Sequence, residues 1–182
     1  MKFDVVIIGG GLAGLTAGVE LCRAGVGCAA VAEGLSIHNA PMKEYVDAGG
    51  VLLSGDSVVR GEWEGNRLLR VFTRNLENTP LEAGNFIIST GKFFSLGLRS
   101  DMNGIYEPVF DCDVLYDADR ENWVNPDFWG VQPFETFGVR TDAEGRVYVK
   151  GVPSVNLYAA GEILAGKVDI VKSALEVCRK LK

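Results

Sequence analysis

The residues with the clearest chemical potential lie at the start of the chain. Gly9-Gly10-Gly11-Leu12-Ala13-Gly14 fits the pattern G-x-G-x-x-G. Each glycine answers a different steric demand. Gly9 permits a tight turn, Gly11 leaves room for a pyrophosphate beside the backbone, and Gly14 allows close helix packing. Gly10, Leu12 and Ala13 complete the loop whose N–H groups would face the anion. Glu33 lies nineteen residues beyond Gly14. A carboxylate at that distance can accept both hydroxyl protons of an adenosine ribose, and it would repel a 2′-phosphate. The chemistry expected is dinucleotide binding, with NADP disfavoured.

The glycines act only if the right elements hold them. Val5-Val6-Ile7-Ile8 is a short β-branched apolar run, as expected of a strand buried on both faces of a parallel sheet. Leu12, Leu15, Val19 and Cys22 recur at helical spacing, and Gly25 ends that helix. Cys28 to Ala32 reads as a second buried strand. The unit is a β-α-β fold element in which a pyrophosphate would lie on the helix N-terminus. The motif leaves FAD and NAD both open.

Further along, Pro41 to Ala48 reads as a short helix stopped by Gly49-Gly50. Ser57 to Trp63 and Leu68 to Thr73 flank a hairpin turn. Asn85 to Gly91 is an apolar strand ending in glycine, and its Thr90 and Gly91 are candidate cofactor contacts. Arg146 to Lys150 reads as a strand, and Asn156 to Gly161 as a strand entering a glycine turn. Val168 to Leu181 is a final helix with basic residues in its last turn. Lys92 to Phe137 has no clear period and receives no detailed assignment.

Composition narrows the function classes. The 182 residues carry 18 Lys and Arg against 24 Asp and Glu, a formal net charge of −6. Bulk charge therefore disfavours nucleic acid and anionic membranes as partners. The four cysteines have no C-x-x-C spacing and there is one histidine, so no metal site is expected. Scattered thiols point to a reducing cytoplasm. The uncharged run Val5 to Val19 is too short and too glycine-rich for a bilayer, which needs roughly 20 apolar residues.

Other reactive side chains have plainer readings. His38 reads as an exposed loop histidine that could reach a cofactor. Lys167 could sit near a flavin, and a solvated helix-start lysine fits equally well. Cys22 and Cys178 read as small core residues. Cys112, between Asp111 and Asp113, should have its thiol pKa raised by those acids. Trp63, Trp123 and Trp129 read as core or interface aromatics. The stretch Asp111 to Trp129 could be a partner surface, though a solvated loop is the plainer reading. No catalytic residue is assigned.

Two later segments carry a family resemblance. Phe86 to Gly91 resembles the apolar strand ending in Ala-Thr-Gly of the two-dinucleotide-binding-domain flavoproteins. Asn156-Leu157-Tyr158-Ala159-Ala160-Gly161-Glu162 resembles their C-terminal signature, with Glu162 where the family has Asp. The resemblance implies a glutathione-reductase-type α/β fold: a Rossmann-like FAD-binding domain with a parallel central sheet and an inserted β-meander. It implies FAD as cofactor, with FMN and NAD as alternatives, and Gly161 and Glu162 near the flavin ribityl and pyrophosphate. The domain is expected to comprise a Rossmann half at 1–34, the meander at about 57–83 and a flavin segment at about 138–182, with no separate substrate domain.

Gly91 to Phe94, Gly138 to Asp142, Asn156 to Gly166, and the opening with Gly34-x-Ser36 and His38 are similar to the B-type subunit of anaerobic glycerol-3-phosphate dehydrogenase. That resemblance implies an oxidoreductase component passing electrons from glycerol 3-phosphate toward quinone. A catalytic flavin subunit and an iron–sulfur subunit are the implied partners, with membrane association only through them. A noncatalytic dinucleotide-binding or assembly role, and self-association into a homo-oligomer, stay open.

Overall fold

The computed structural model describes residues 1–33 and 39–182. Gly34, Ser36 and His38 lie outside the described residues. The chain runs β1 (Lys2–Ile8), α1 (Leu12–Arg23), β2 (Cys28–Ala32), α2 (Asn39–Asp47), β3 (Val51–Ser54), β4 (Val58–Glu64), β5 (Arg67–Thr73) and β6 (Leu81–Ile88). Then come β7 (Arg99–Ser100), β8 (Ile105–Tyr106), β9 (Val114–Leu115), β10 (Gly138–Val139), β11 (Arg146–Val149), β12 (Val152–Ala159) and α3 (Ile170–Leu181).

The main sheet has the order β11-β12-β6-β1-β2-β3, with the β4–β5 hairpin attached through β5 to the start of β6. β1 pairs in parallel with β2 on one side and β6 on the other, Val5 opposite both Cys28 and Asn85. The strand order reverses at β1, so the carboxyl ends of β1 and β6 bound a crevice. In doubly wound sheets that is where ligands bind.

Alternation along β1 explains why its apolar run has no polar face. Val5 and Ile7 pack with Leu15, Leu21, Tyr45 and Ala174 on the helical side. Val6 and Ile8 pack with Phe86, Leu157, Leu68 and Phe110 on the other. Both faces are covered, as a parallel sheet requires. Tyr45 anchors α2 to the sheet, its hydroxyl donating to the carbonyls of Cys28 and Val51 at 3.0 and 3.3 Å. A Cβ at Gly18 or Gly50 would lie 2.5 or 2.2 Å from the Tyr45 ring, so both glycines make the notch that receives it.

β6 has a divided outer edge. Its first residues pair antiparallel with β5, Val71 opposite Leu81. Its last residues pair in parallel with β12, Ala159 opposite Ile88. Where one partner replaces the other, the ladder cannot satisfy every backbone group. The buried Asn156 side chain fills that gap. Its Oδ1 accepts from Leu68 N–H at 2.9 Å, and its Nδ2 donates to the carbonyls of Leu68 and Gly84 at 2.8 and 2.9 Å.

The structure differs from the sequence expectations in register and detail. β3 has no counterpart among them, and it adds the outermost parallel strand, Val31 opposite Leu53. β6 begins at Leu81 and β12 at Val152, earlier than expected. β11 and β12 form a hairpin through Lys150 and Gly151, both at positive φ. The segment after Gly91 is mostly turns plus the short ribbons β7–β8 and β9–β10.

Acid-to-backbone hydrogen bonds hold those turns. The buried Glu107 carboxylate accepts from Val109 N–H at 3.0 Å and Phe110 N–H at 2.7 Å. Burial pushes its pKa up against those donors. Cys112 is buried and its thiol pKa is raised, as expected, but burial and then Glu107 lead the causes, ahead of Asp113 and Asp111. Among the described residues no group of His, Cys, Asp and Glu could hold a metal ion, and no helix is long and apolar enough to cross a membrane.

Candidate functional site

The site grows from the end of β1. Gly9 has φ +115, and a Cβ there would sit 2.5 Å from the Ser89 carbonyl oxygen. The loop is therefore pressed against the end of β6, and Ser89 Oγ donates to the Ile8 and Gly9 carbonyls at 3.2 and 3.1 Å. A Cβ at Gly14 would lie 2.1 Å from the Gly9 carbonyl oxygen, so Gly14 locks the loop onto its own helix.

Gly11 differs from both. It is the N-cap of α1 with φ −78, and a Cβ there meets nothing within 4 Å. Its missing side chain serves space outside the protein, not internal packing. Above it, α1 has no side-chain cap and no acid in its first turn. The first α1 hydrogen bond runs from Leu15 N–H to the Gly11 carbonyl at 3.0 Å. The N–H groups of Leu12, Ala13 and Gly14 thus have no intrahelical acceptor and carry the positive end of the helix dipole. An open cradle, free donors and a favourable dipole fit a diphosphate.

Three other elements bring the remaining expected residues to this edge. Glu33 follows β2 and is exposed. Thr90 and Gly91 follow β6, Gly91 with φ +72. Gly161 follows β12 with φ +80, and a Cβ on it would sit 2.5 Å from the Ala13 side chain, so this turn crosses the first turn of α1. Glu162 is exposed, with Oε2 3.9 Å from the Cβ position of Gly91. All eleven expected positions therefore cluster at the carboxyl ends of β1, β2, β6 and β12.

Thr90 supplies a second test of fit. Its Oγ1 is the one buried side-chain polar atom among the described residues without a hydrogen-bond partner. Leaving such an atom unpaired costs about 1–3 kcal/mol. A hydroxyl-bearing ligand at this edge would satisfy it.

Two residues at the site are not among the expected cofactor contacts. Lys92 follows Gly91 directly and is half-buried, its Nζ donating to the Glu135 carbonyl. Burial holds its pKa below the usual lysine value, partly offset by Glu162 and Glu135. The Lys92 charge thus lies within electrostatic reach of Glu162. Arg74 reaches Glu33 from the end of β5, and 41 residues of sequence separation hide that contact. Lys167 is exposed in the loop before α3. At the N-terminus of α3, Asp169 Oδ1 accepts from one of the first-turn donors, Lys172 N–H, at 2.9 Å.

A cavity of about 500 Å³ lies elsewhere, at the amino end of β12, lined by Trp63, Phe110, Asp111, Lys150 and neighbours. It shares no residue with the glycine loop. The free N–H groups and the strand crossover point instead to the loop edge.

Residues 36–173 match a family profile described as FAD binding domain. The chain is 40% identical over 136 residues to the B-type subunit of anaerobic glycerol-3-phosphate dehydrogenase from Vibrio vulnificus (strain YJ016), covering 73% of this chain and 31% of that one. A Yersinia enterocolitica protein of the same name is 36% identical over 133 residues, with the same coverage. The chain thus spans about a third of the length of these relatives. Among solved structures, an oxidoreductase from Agrobacterium tumefaciens matches with TM-score 0.61 and 14% identity, covering 100% of this chain and 97% of that one. A Thermoplasma acidophilum thioredoxin reductase matches with TM-score 0.55 and 14% identity, covering 99% and 97%. These structural likenesses bear on the fold.

Proposed function

This chain belongs to the FAD binding domain family, and we propose that it is the flavin-holding part of an oxidoreductase that oxidises glycerol 3-phosphate. The observation that carries the cofactor site is the open space at Gly11 beneath the unpaired N–H groups of Leu12, Ala13 and Gly14. These groups would hold the pyrophosphate, with Gly9 and Gly10 shaping the turn. Glu33 would accept the adenosine ribose hydroxyls. Thr90 Oγ1 and Glu162 would meet the hydroxyl-bearing linker, and Gly91 and Gly161 would let the backbone approach it. Residues 1–182 act in this reading as one FAD-binding unit.

The bound flavin would supply the electron transfer. The chain's own part is to hold the anion on oriented dipoles and to set the local charge. Lys92 places a cation within electrostatic reach of Glu162, which would offset negative charge gathering at that edge. The substrate, and an assembly with further subunits, rest on the names of the curated relatives. Such partners would also account for any membrane association of an otherwise cytoplasmic protein.

The test is direct. Purified protein should carry or take up one FAD per chain, released unchanged on denaturation. Under anaerobic conditions, glycerol 3-phosphate should bleach the flavin when the other subunits of the host's dehydrogenase are present. A protein that takes up NAD and no flavin would overturn the cofactor assignment. Bound flavin that glycerol 3-phosphate never reduces would overturn the redox role and leave a noncatalytic assembly role.

A further inference from the structure

The position that would receive the ribose holds a cation as well as an acid. Arg74 Nη2 lies 2.5 Å from Glu33 Oε1 and 2.6 Å from Ser57 Oγ. Its mounting is built from several elements. Arg74 N–H donates to the Ser57 carbonyl at 2.9 Å. The buried Asp56 carboxylate accepts from Ser57 N–H at 2.8 Å and Asn75 N–H at 3.0 Å. Asn75 Nδ2 donates to the Gly55 carbonyl at 3.1 Å, and Gly55 N–H to the Ala32 carbonyl at 2.8 Å. Ala32 directly precedes Glu33, so the guanidinium and the carboxylate ride on one knot of backbone.

Stability does not explain this arrangement. Arg74 and Glu33 are 59% and 58% exposed, and a pair so exposed contributes about 0–1 kcal/mol. The consequence for a ligand is larger. Glu33 alone would repel a phosphate on the ribose, but paired with Arg74 the position is neutral. The Nε and Nη1 donors of Arg74 have no partner among the described residues. A guanidinium fork with free donors suits a phosphomonoester.

We propose that Arg74 determines specificity at the ribose position: by masking Glu33, it lets the site accept an adenosine phosphorylated at the 2′ oxygen as well as one with a free diol. This rests on Glu33 being the ribose ligand, and it revises the expectation that the acid excludes a 2′-phosphate.

Calorimetric titration of the purified full chain, freed of flavin, with 5′-AMP and with 2′,5′-ADP tests it. The wild type should bind both within about threefold. Arg74→Ala should weaken 2′,5′-ADP about 20-fold, the worth of one charged hydrogen bond, and 5′-AMP by no more than about threefold. Arg74→Lys should recover part of the loss, and Glu33→Gln should tighten 2′,5′-ADP. Wild-type binding of 5′-AMP with rejection of 2′,5′-ADP by more than about tenfold would overturn the proposal. So would equal losses for both ligands in Arg74→Ala, the pattern of a merely structural residue. If FAD binds but neither nucleotide competes with it, Glu33 is not the ribose ligand and the proposal falls while the flavin assignment survives. If neither nucleotide nor FAD binds, both fall.

Discussion

Replacing Gly11 with valine should weaken FAD binding by about 100-fold or more, equivalent to about 2.8 kcal/mol, and leave the fold intact. The backbone at Gly11 has φ −78, which any residue adopts, and its Cβ direction is open for 4 Å. Nothing inside the protein resists the side chain. The valine methyls instead enter the space where the pyrophosphate would approach the N–H groups of Leu12 and Ala13. Gly14→Val makes the internal control. There the new Cβ would collide with the Gly9 carbonyl oxygen at 2.1 Å and with Ser89 Oγ at 2.5 Å, so that variant should lose folded protein as well as flavin. Flavin-to-protein absorbance and far-ultraviolet circular dichroism separate the two. Full flavin content in Gly11→Val would show that the loop does not hold the diphosphate.

Asn156→Leu should lower stability by about 3–5 kcal/mol, reducing Tm by roughly 10 °C for a chain of this size. Leucine has nearly the shape of asparagine but none of its hydrogen bonds. It would strand Leu68 N–H and the Leu68 carbonyl and leave the Gly84 carbonyl only its longer bond from Arg67 Nη2 at 3.4 Å, all placed where β6 exchanges β5 for β12. Each buried group left unpaired costs about 1–3 kcal/mol, with partial relief where solvent can enter. Asn156→Asp keeps the acceptor for Leu68 N–H but sets a carboxylate against two carbonyls, so it should also be destabilised. Urea unfolding of the three proteins measures this. Equal midpoints for wild type and Asn156→Leu would contradict the bridging role.

Sequence is most informative here where local sterics decide the outcome. A β-branched run followed by three glycines and a helical pattern specifies strand, loop and helix, because few other backbones suit those residues. Glycine turns at Gly91 and Gly161 are legible for the same reason. Long-range contacts are not. Arg74 meets Glu33 only because the β4–β5 hairpin folds back on the end of β2, and neither residue's neighbours announce it. β3 escapes a reading by pattern because Val51-Leu52-Leu53-Ser54 is short and follows two glycines, so its pairing with β2 decides its state more than its own propensity. From Lys92 to Phe137, turns capped by Asp and Glu replace regular elements, leaving no period to read.

The most direct measurement is an amide chemical-shift map of the full chain titrated with FAD. The expected result is saturable one-to-one binding, with the largest shifts at Leu12, Ala13, Gly14, Glu33, Thr90, Gly91 and Glu162. Shifts confined to the Trp63–Lys150 cavity, or none at the end of β1, would contradict the site.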